Sequence, residues 1–114
     1  MEMTTALACF AALSQDTRLE TVKLLVRAGD GGLPAGEIAR QLGVGNTLMS
    51  AHLSKLGHAG LVTSRRDGRS IIYRANYDTL RGLIEFLMAD CCCGVPAIVG
   101  DLQGITLNDG APQT

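Results

Sequence analysis

Residues 34–62, PAGEIARQLGVGNTLMSAHLSKLGHAGLV, constrain the fold more than any other stretch. Pro34 stands where a helix start tolerates a missing N–H. Glu37 then falls in the first turn, where the helix dipole favours an acid. A short helix carries Ile38, Ala39 and Leu42 inward, and Gly43 permits a tight turn. Val44 is expected to plug the core after that turn. A second helix begins near Asn46 or Thr47, with Leu48, Leu53 and Leu56 on its buried side and Met49 exposed. Two short helices joined by a glycine-containing turn form a helix-turn-helix, whose second helix presents its N-terminal residues to the major groove. Asn46, Thr47, Ser50 and Ala51 are the candidate base-facing residues, because small polar side chains reach base edges and phosphates.

The next segment strengthens this expectation. Gly60 ends the second helix. Leu61 to Arg66 and Ser70 to Ala75 have the composition of strands, and Asp67-Gly68 is a hairpin signal. Arg65, Arg66 and Arg69 crowd the tip. The chain's formal net charge is only −1. Between His52 and Arg74, however, five bases (Lys55, Arg65, Arg66, Arg69, Arg74) face one acid, Asp67. A local basic patch matters more to nucleic-acid binding than the total. The cationic hairpin after the helix-turn-helix is therefore read as a wing on phosphate or minor groove. Lys55, Arg65, Arg66 and Arg69 join the candidate DNA contacts. The partner is double-stranded operator DNA.

Helices are also expected at both ends of this unit. Thr4 or Thr5 caps a first short helix through Leu7, Phe10 and Leu13. Ser14 caps a second, with Leu19, Val22 and Val26 on one face and Leu25 widening it. Gly29 closes that helix. Asn76 or Asp78 starts a last helix whose stripe is Leu80, Leu83, Ile84, Leu87, Met88 and Cys91. So broad a stripe suits a homodimer interface shared with the first helix; a fold-back onto the chain's own core is the competing reading. The expected architecture is mostly α with a small β-hairpin, a dimeric winged helix-turn-helix spanning 1–99. The tail from 100 to 114 is expected to be mobile. The whole chain has 114 residues, enough for one domain. No stretch approaches a membrane span, and MEMTTALACF lacks the marks of a signal peptide, so a cytoplasmic location is expected.

Cys91, Cys92 and Cys93 are consecutive. In a reducing compartment they gain little as a disulfide, and adjacent-residue bridges are strained. Zinc usually takes four ligands in paired motifs that are absent here. Arsenic(III) or antimony(III), soft ions that accept three thiolates in a pyramid, suit the cluster as an inducer. Small buried residues at an interface are the bland alternative. Successive side chains on a helix point ~100° apart, so the sulfurs converge only if the last turn unwinds, which Gly94 and Pro96 permit. Cys9, on the first helix, is an alternative third ligand. His52 and His58 are assigned structural roles.

Three segments, LSQDTRLETVKLL, EIARQLGV and SAHLSKLGHAGLVTSRRDGRSIIYR, resemble the ArsR/SmtB family of metal-responsive repressors over about Ala8 to Pro96. The resemblance implies a homodimer that represses its own operon and leaves DNA on binding an ion. One arsenic-sensing branch carries a CxC-type site in the first helix of its helix-turn-helix; PAGEIARQLG has none. Another looks like DCCGGxPE(I/L)C after the last helix, where this chain has DCCCGVPAIVG. Asp90, Cys91, Cys92, Gly94 and Pro96 match. Val99 takes the third Cys position, and Cys93 replaces a glycine. The resemblance thus implies a third thiol moved to Cys93, or two-thiol binding of a methylated arsenical through Cys91 and Cys92. A redox-responsive repressor is a further alternative. A thiol-dependent enzyme or metal-transfer protein is disfavoured: a helix C-terminus does not activate thiols, and no catalytic constellation is present.

Overall fold

In the computed structural model residues 1–89 are described. Cys91, Cys92, Cys93 and the tail from 100 to 114 lie outside the described residues, as does the proposed end of the last helix. The order is α1 (Met3–Leu13), α2 (Asp16–Ala28), β1 (Leu33–Pro34), α3 (Ala35–Leu42), α4 (Asn46–His58), β2 (Val62–Asp67), β3 (Ser70–Ala75) and α5 (Tyr77–Ala89). The three strands form an antiparallel sheet in the order β1-β3-β2. This is the expected mostly helical, winged helix-turn-helix architecture.

The core is built from Leu25, Ile38, Met49, Leu53, Leu56 and Leu61, all buried. The buried residues of α1 are all small, Ala6, Cys9 and Ala12, with Leu13 packed against the core at its end. That lets α1 lie close to α2, α4 and α5. Cys9 Sγ donates to the Ala59 carbonyl at 3.3 Å. Burial pushes its thiol pKa up, so it stays protonated and packs as a small apolar group.

Several expected details differ. Neither Thr4 nor Thr5 caps α1; Glu2 occupies that position and both threonines lie inside the helix. Ser14 does not cap α2: its hydroxyl donates back to Ala11 O at 2.7 Å, closing α1. Gln15 is the cap, its side chain accepting from Arg18 N at 2.9 Å. The buried face of α2 is Thr21, Val22, Leu24 and Leu25, while Leu19 and Val26 are exposed. Thr21 is tolerated there because its hydroxyl donates to Thr17 O at 2.7 Å.

Gly29 ends α2 as expected, at φ 80°. The following strand β1 was not anticipated. It pairs Leu33 with Tyr73 and Pro34 with Ile72. Gly32 (φ 69°) brings the chain in so tightly that a Cβ there would run into the Tyr73 carbonyl.

On α5, Leu83 is buried and Leu80 and Phe86 pack against the core. Ile84 and Leu87 are exposed, as are Met3, Leu7 and Phe10 on α1. The expected stripe therefore divides into a core-facing part and a solvent-facing part. No helix among the described residues is long and apolar enough to cross a membrane.

Candidate nucleic-acid interface

α3 and α4 meet through a turn whose chemistry is local. Gly43 adopts the left-handed conformation (φ 67°, ψ 35°). Its N–H reaches Arg40 O at 3.3 Å, and the Val44 N–H reaches Ala39 O at 3.0 Å. These bonds satisfy the last carbonyls of α3, and Val44 packs against the core as expected. On the outer surface of α3, Arg40 Nε donates to Glu37 at 3.0 Å and Gln41 adds a bond at 2.7 Å. The Arg40 hydrogen bond, then that of Gln41, hold the Glu37 carboxyl down at about 2.

α4 opens at Gly45 with no side-chain cap. Its first N–H groups therefore receive no side-chain cap, which leaves a favourable place for a phosphate. Asn46, Thr47, Ser50, Ala51 and Lys55 are all exposed, so the helix presents every candidate that the sequence assigned to it. The expected phase is corrected at one pair. Met49 is 1% exposed and fills the core, whereas Leu48 is 55% exposed.

The far side of α4 is fixed by Met49, His52, Leu53 and Leu56. His52 is buried, and its Nδ1 accepts from the Arg18 guanidinium at 3.3 Å. Arg18 Nε also donates to Ala12 O at 2.7 Å, so one side chain ties α1, α2 and α4 together. Burial, then the Arg18 and Lys55 charges, lower the His52 pKa; Asp16 opposes them. His58 Nδ1 lies 2.8 Å from Ser54 O. Both histidines thus hold the structural contacts expected of them. Among the described residues, no group of three or more His, Cys, Asp or Glu side chains could hold a metal.

At the end of α4, Gly60 (φ 83°) reverses the chain, and Leu61 N–H bonds to Leu56 O at 3.0 Å. The hairpin follows at once. Its register pairs Val62 with Ala75 and Asp67 with Ser70. The turn residues are therefore Gly68 and Arg69, one position later than the expected Asp67-Gly68, with Gly68 at φ 64°. Only Val62 of β2 is buried, so the hairpin projects into solvent as a wing. Asn76 N–H bonds to Leu61 O at 2.9 Å, and its side chain accepts from Thr79 N at 3.3 Å. Asn76 thus caps α5 and clamps the wing's base.

The wing's arginines are not equivalent. Arg65 Nη2 donates to Gly31 O at 3.1 Å, and Arg74 Nη1 lies 3.5 Å from Asp30 Oδ1. These two lean back onto the loop before β1. Arg66 makes only a 3.5 Å contact with Gly68 O at its own tip. Arg69 is exposed at the turn itself. The sequence did not signal the tether, because Gly31 and Asp30 lie more than thirty residues upstream of their partners.

Comparison with known proteins points the same way. A helix-turn-helix domain model matches residues 13–65. The HTH-type transcriptional regulator YgaV of Escherichia coli is 31% identical over 76% of this chain and 86% of its own. A protein of Halobacterium salinarum named as an arsenical resistance operon repressor, ArsR2, is 34% identical over 75% of this chain and 70% of its own. An ArsR-like transcriptional regulator from Rhodococcus superposes with a TM-score of 0.67 at 28% identity, covering 97% of this chain and 96% of that one. The homodimeric winged helix-turn-helix DNA-binding domain Mb0332 of Mycobacterium bovis, described as a possible ArsR-family regulator, gives 0.64 at 29% identity over 80% and 83%. These proteins are transcriptional regulators rather than enzymes.

Proposed function

The chain belongs to the ArsR family of winged helix-turn-helix transcriptional regulators, and from that premise we propose that it is a homodimeric repressor released from operator DNA by arsenic(III) or antimony(III). The carrying observation is the uncapped N-terminal half of α4, exposing Asn46, Thr47, Ser50 and Ala51 beside a cationic wing. Those four residues face the major groove. Lys55, Arg66 and Arg69 neutralise phosphates, which supplies most of the sequence-independent affinity. Arg65 belongs to the same wing but is engaged with Gly31.

The dimer interface is formed by the exposed apolar residues Met3, Leu7 and Phe10 of α1 with Ile84 of α5. Burying them in a second copy relieves contact with water. It also sets two recognition helices at a fixed spacing, as a two-fold operator requires. The homodimeric Mycobacterium bovis relative supports this assembly.

Cys91, Cys92 and Cys93 follow α5 in the sequence, one residue on, after Asp90. Arsenous acid would exchange its three hydroxyls for three thiolates, the thiol protons leaving as water. Drawing three adjacent sulfurs onto one ion perturbs the end of the helix that carries the interface. A changed angle between subunits misaligns the recognition helices, so the ion binds the released state better. The name of the Halobacterium salinarum relative supports this choice of inducer. A protein acting on operator DNA in this way works in the cytoplasm.

Fluorescence anisotropy on the DNA upstream of its own gene tests the reading. With arsenite under reducing conditions, the wild type is expected to leave the DNA and a Cys91→Ser, Cys92→Ser variant to stay. Retention of the wild type would refute arsenite as inducer; release of both proteins would refute the cysteine site.

A further inference from the structure

Leu48 has no structural task that the described residues reveal. It lies in the first turn of α4, is 55% exposed, and takes no part in the core, whose place at this point is filled by Met49. A single exposed leucine is ordinary on most surfaces. Here it stands among Asn46, Thr47, Ser50 and Ala51, the residues that the proposed function assigns to the major groove. Ala51 is also exposed, and a spacing of three residues puts it beside Leu48 on the helix surface. Lys55, seven residues on, continues the same flank towards the backbone. The first turn therefore presents a small apolar step between polar neighbours.

Major-groove edges carry hydrogen-bonding groups throughout, with one apolar exception: the C5-methyl of thymine. Leu48 cannot satisfy a purine nitrogen, a carbonyl oxygen or an exocyclic amine, and covering one strips its water without replacement. Over a thymine methyl it removes apolar surface from water on both sides. We propose that Leu48, backed by Ala51, is a specificity-determining residue that reads thymine through its C5-methyl in each operator half-site. The inference rests on the DNA-binding reading and adds to it a base preference and the atom that carries it. It also gives a rejection mechanism, since other bases at that position leave a desolvated polar edge.

Replacing thymine by uracil deletes the methyl and leaves base pairing intact. The tightest-binding duplex selected from a random library would be prepared with single dT-to-dU replacements. Wild type and Leu48→Ala would then be titrated on each duplex by anisotropy. At one thymine per half-site the wild type is expected to weaken about fourfold on methyl loss, the equivalent of one apolar carbon returned to water. Leu48→Ala, which alters both subunits of the dimer, should already be weaker by about the square of that factor on the thymine duplex and change little on the uracil one. Its thermal midpoint should match the wild type, because the side chain is exposed. Equal factors for the two proteins at every thymine would overturn the proposal, as would wild-type affinity in Leu48→Ala. Failure of the wild type to select any duplex is a different result, which removes the DNA-binding reading itself.

Discussion

The recognition helix and the wing are both assigned to the proposed DNA-facing surface, yet the protein holds them by different means. α4 is clamped along one side by Met49, Leu53 and Leu56, all buried, and by the Arg18–His52 contact. The wing is anchored by Val62 and Ala75 at its base, by Asn76, and by two arginines leaning on the preceding loop. The difference follows the work each part is assigned. Reading base edges needs side chains placed to a fraction of an ångström, which only dense packing gives. Neutralising phosphates needs charge within reach and tolerates looser support.

The largest expected effect breaks the comparison at the helix. Leu56→Ala removes a fully buried side chain shared by α4 and the core. Such substitutions cost about 2–5 kcal/mol. Chemical denaturation should show that loss, whereas Arg69→Ala at the wing tip should stay within about 0.5 kcal/mol. A Leu56→Ala protein as stable as the wild type would mean that the helix is not held by its packing.

A smaller effect sharpens the comparison inside the wing. Arg66 and Arg69 are exposed at the tip, while Arg65 donates to Gly31 O. Each phosphate neutralised adds about 0.9 to the slope of log affinity against log salt. Arg66→Gln should flatten that slope by about one such step per wing. Arg65→Gln should weaken binding with less change of slope, because its charge is committed to the loop and its loss mainly loosens the wing. Equal flattening by both variants would show that Arg65 also touches the backbone and that the tether is not selective.

The same contrast explains what could be read from the sequence. Turns were legible because their chemistry is local: Gly43, Gly60 and the Gly68 turn each supply a left-handed residue where the chain must reverse. Helix phase was less so. In α2 the apolar residues Leu19, Val22, Leu24, Leu25 and Val26 spread around most of the helix, and α1, α3 and β3 decide which are covered. Leu48 and Met49 are adjacent and both apolar, so the pattern could not say which faces inward. β1 is two residues long and exists only through pairing with β3, some forty residues away. The small-residue face of α1 was hidden because Leu7 and Phe10, its larger residues, point to solvent.

The smallest effect again separates helix from wing, and it is set by pH. The His52 pKa is lowered in the folded protein by burial, then by the Arg18 and Lys55 charges. The unfolded chain takes up a proton near the ordinary histidine value of about 6.5. Below that pH the unfolded state binds more protons than the folded one, so stability falls as pH falls and levels out beneath the folded value. Above it the term vanishes. Glu37 acts with the same sign in a lower window: its stabilisation is present above the ordinary glutamate range and is lost as pH falls towards about 2. Denaturation midpoints measured from pH 7.5 downward should therefore decline first through His52. A His52→Gln variant should flatten the upper limb and leave the lower one. The slope of DNA affinity against salt should not move between pH 7.5 and 6.5, because arginine charge is constant there. If His52→Gln leaves the upper limb as it is in the wild type, the Arg18–His52 contact is not what couples α4 to pH.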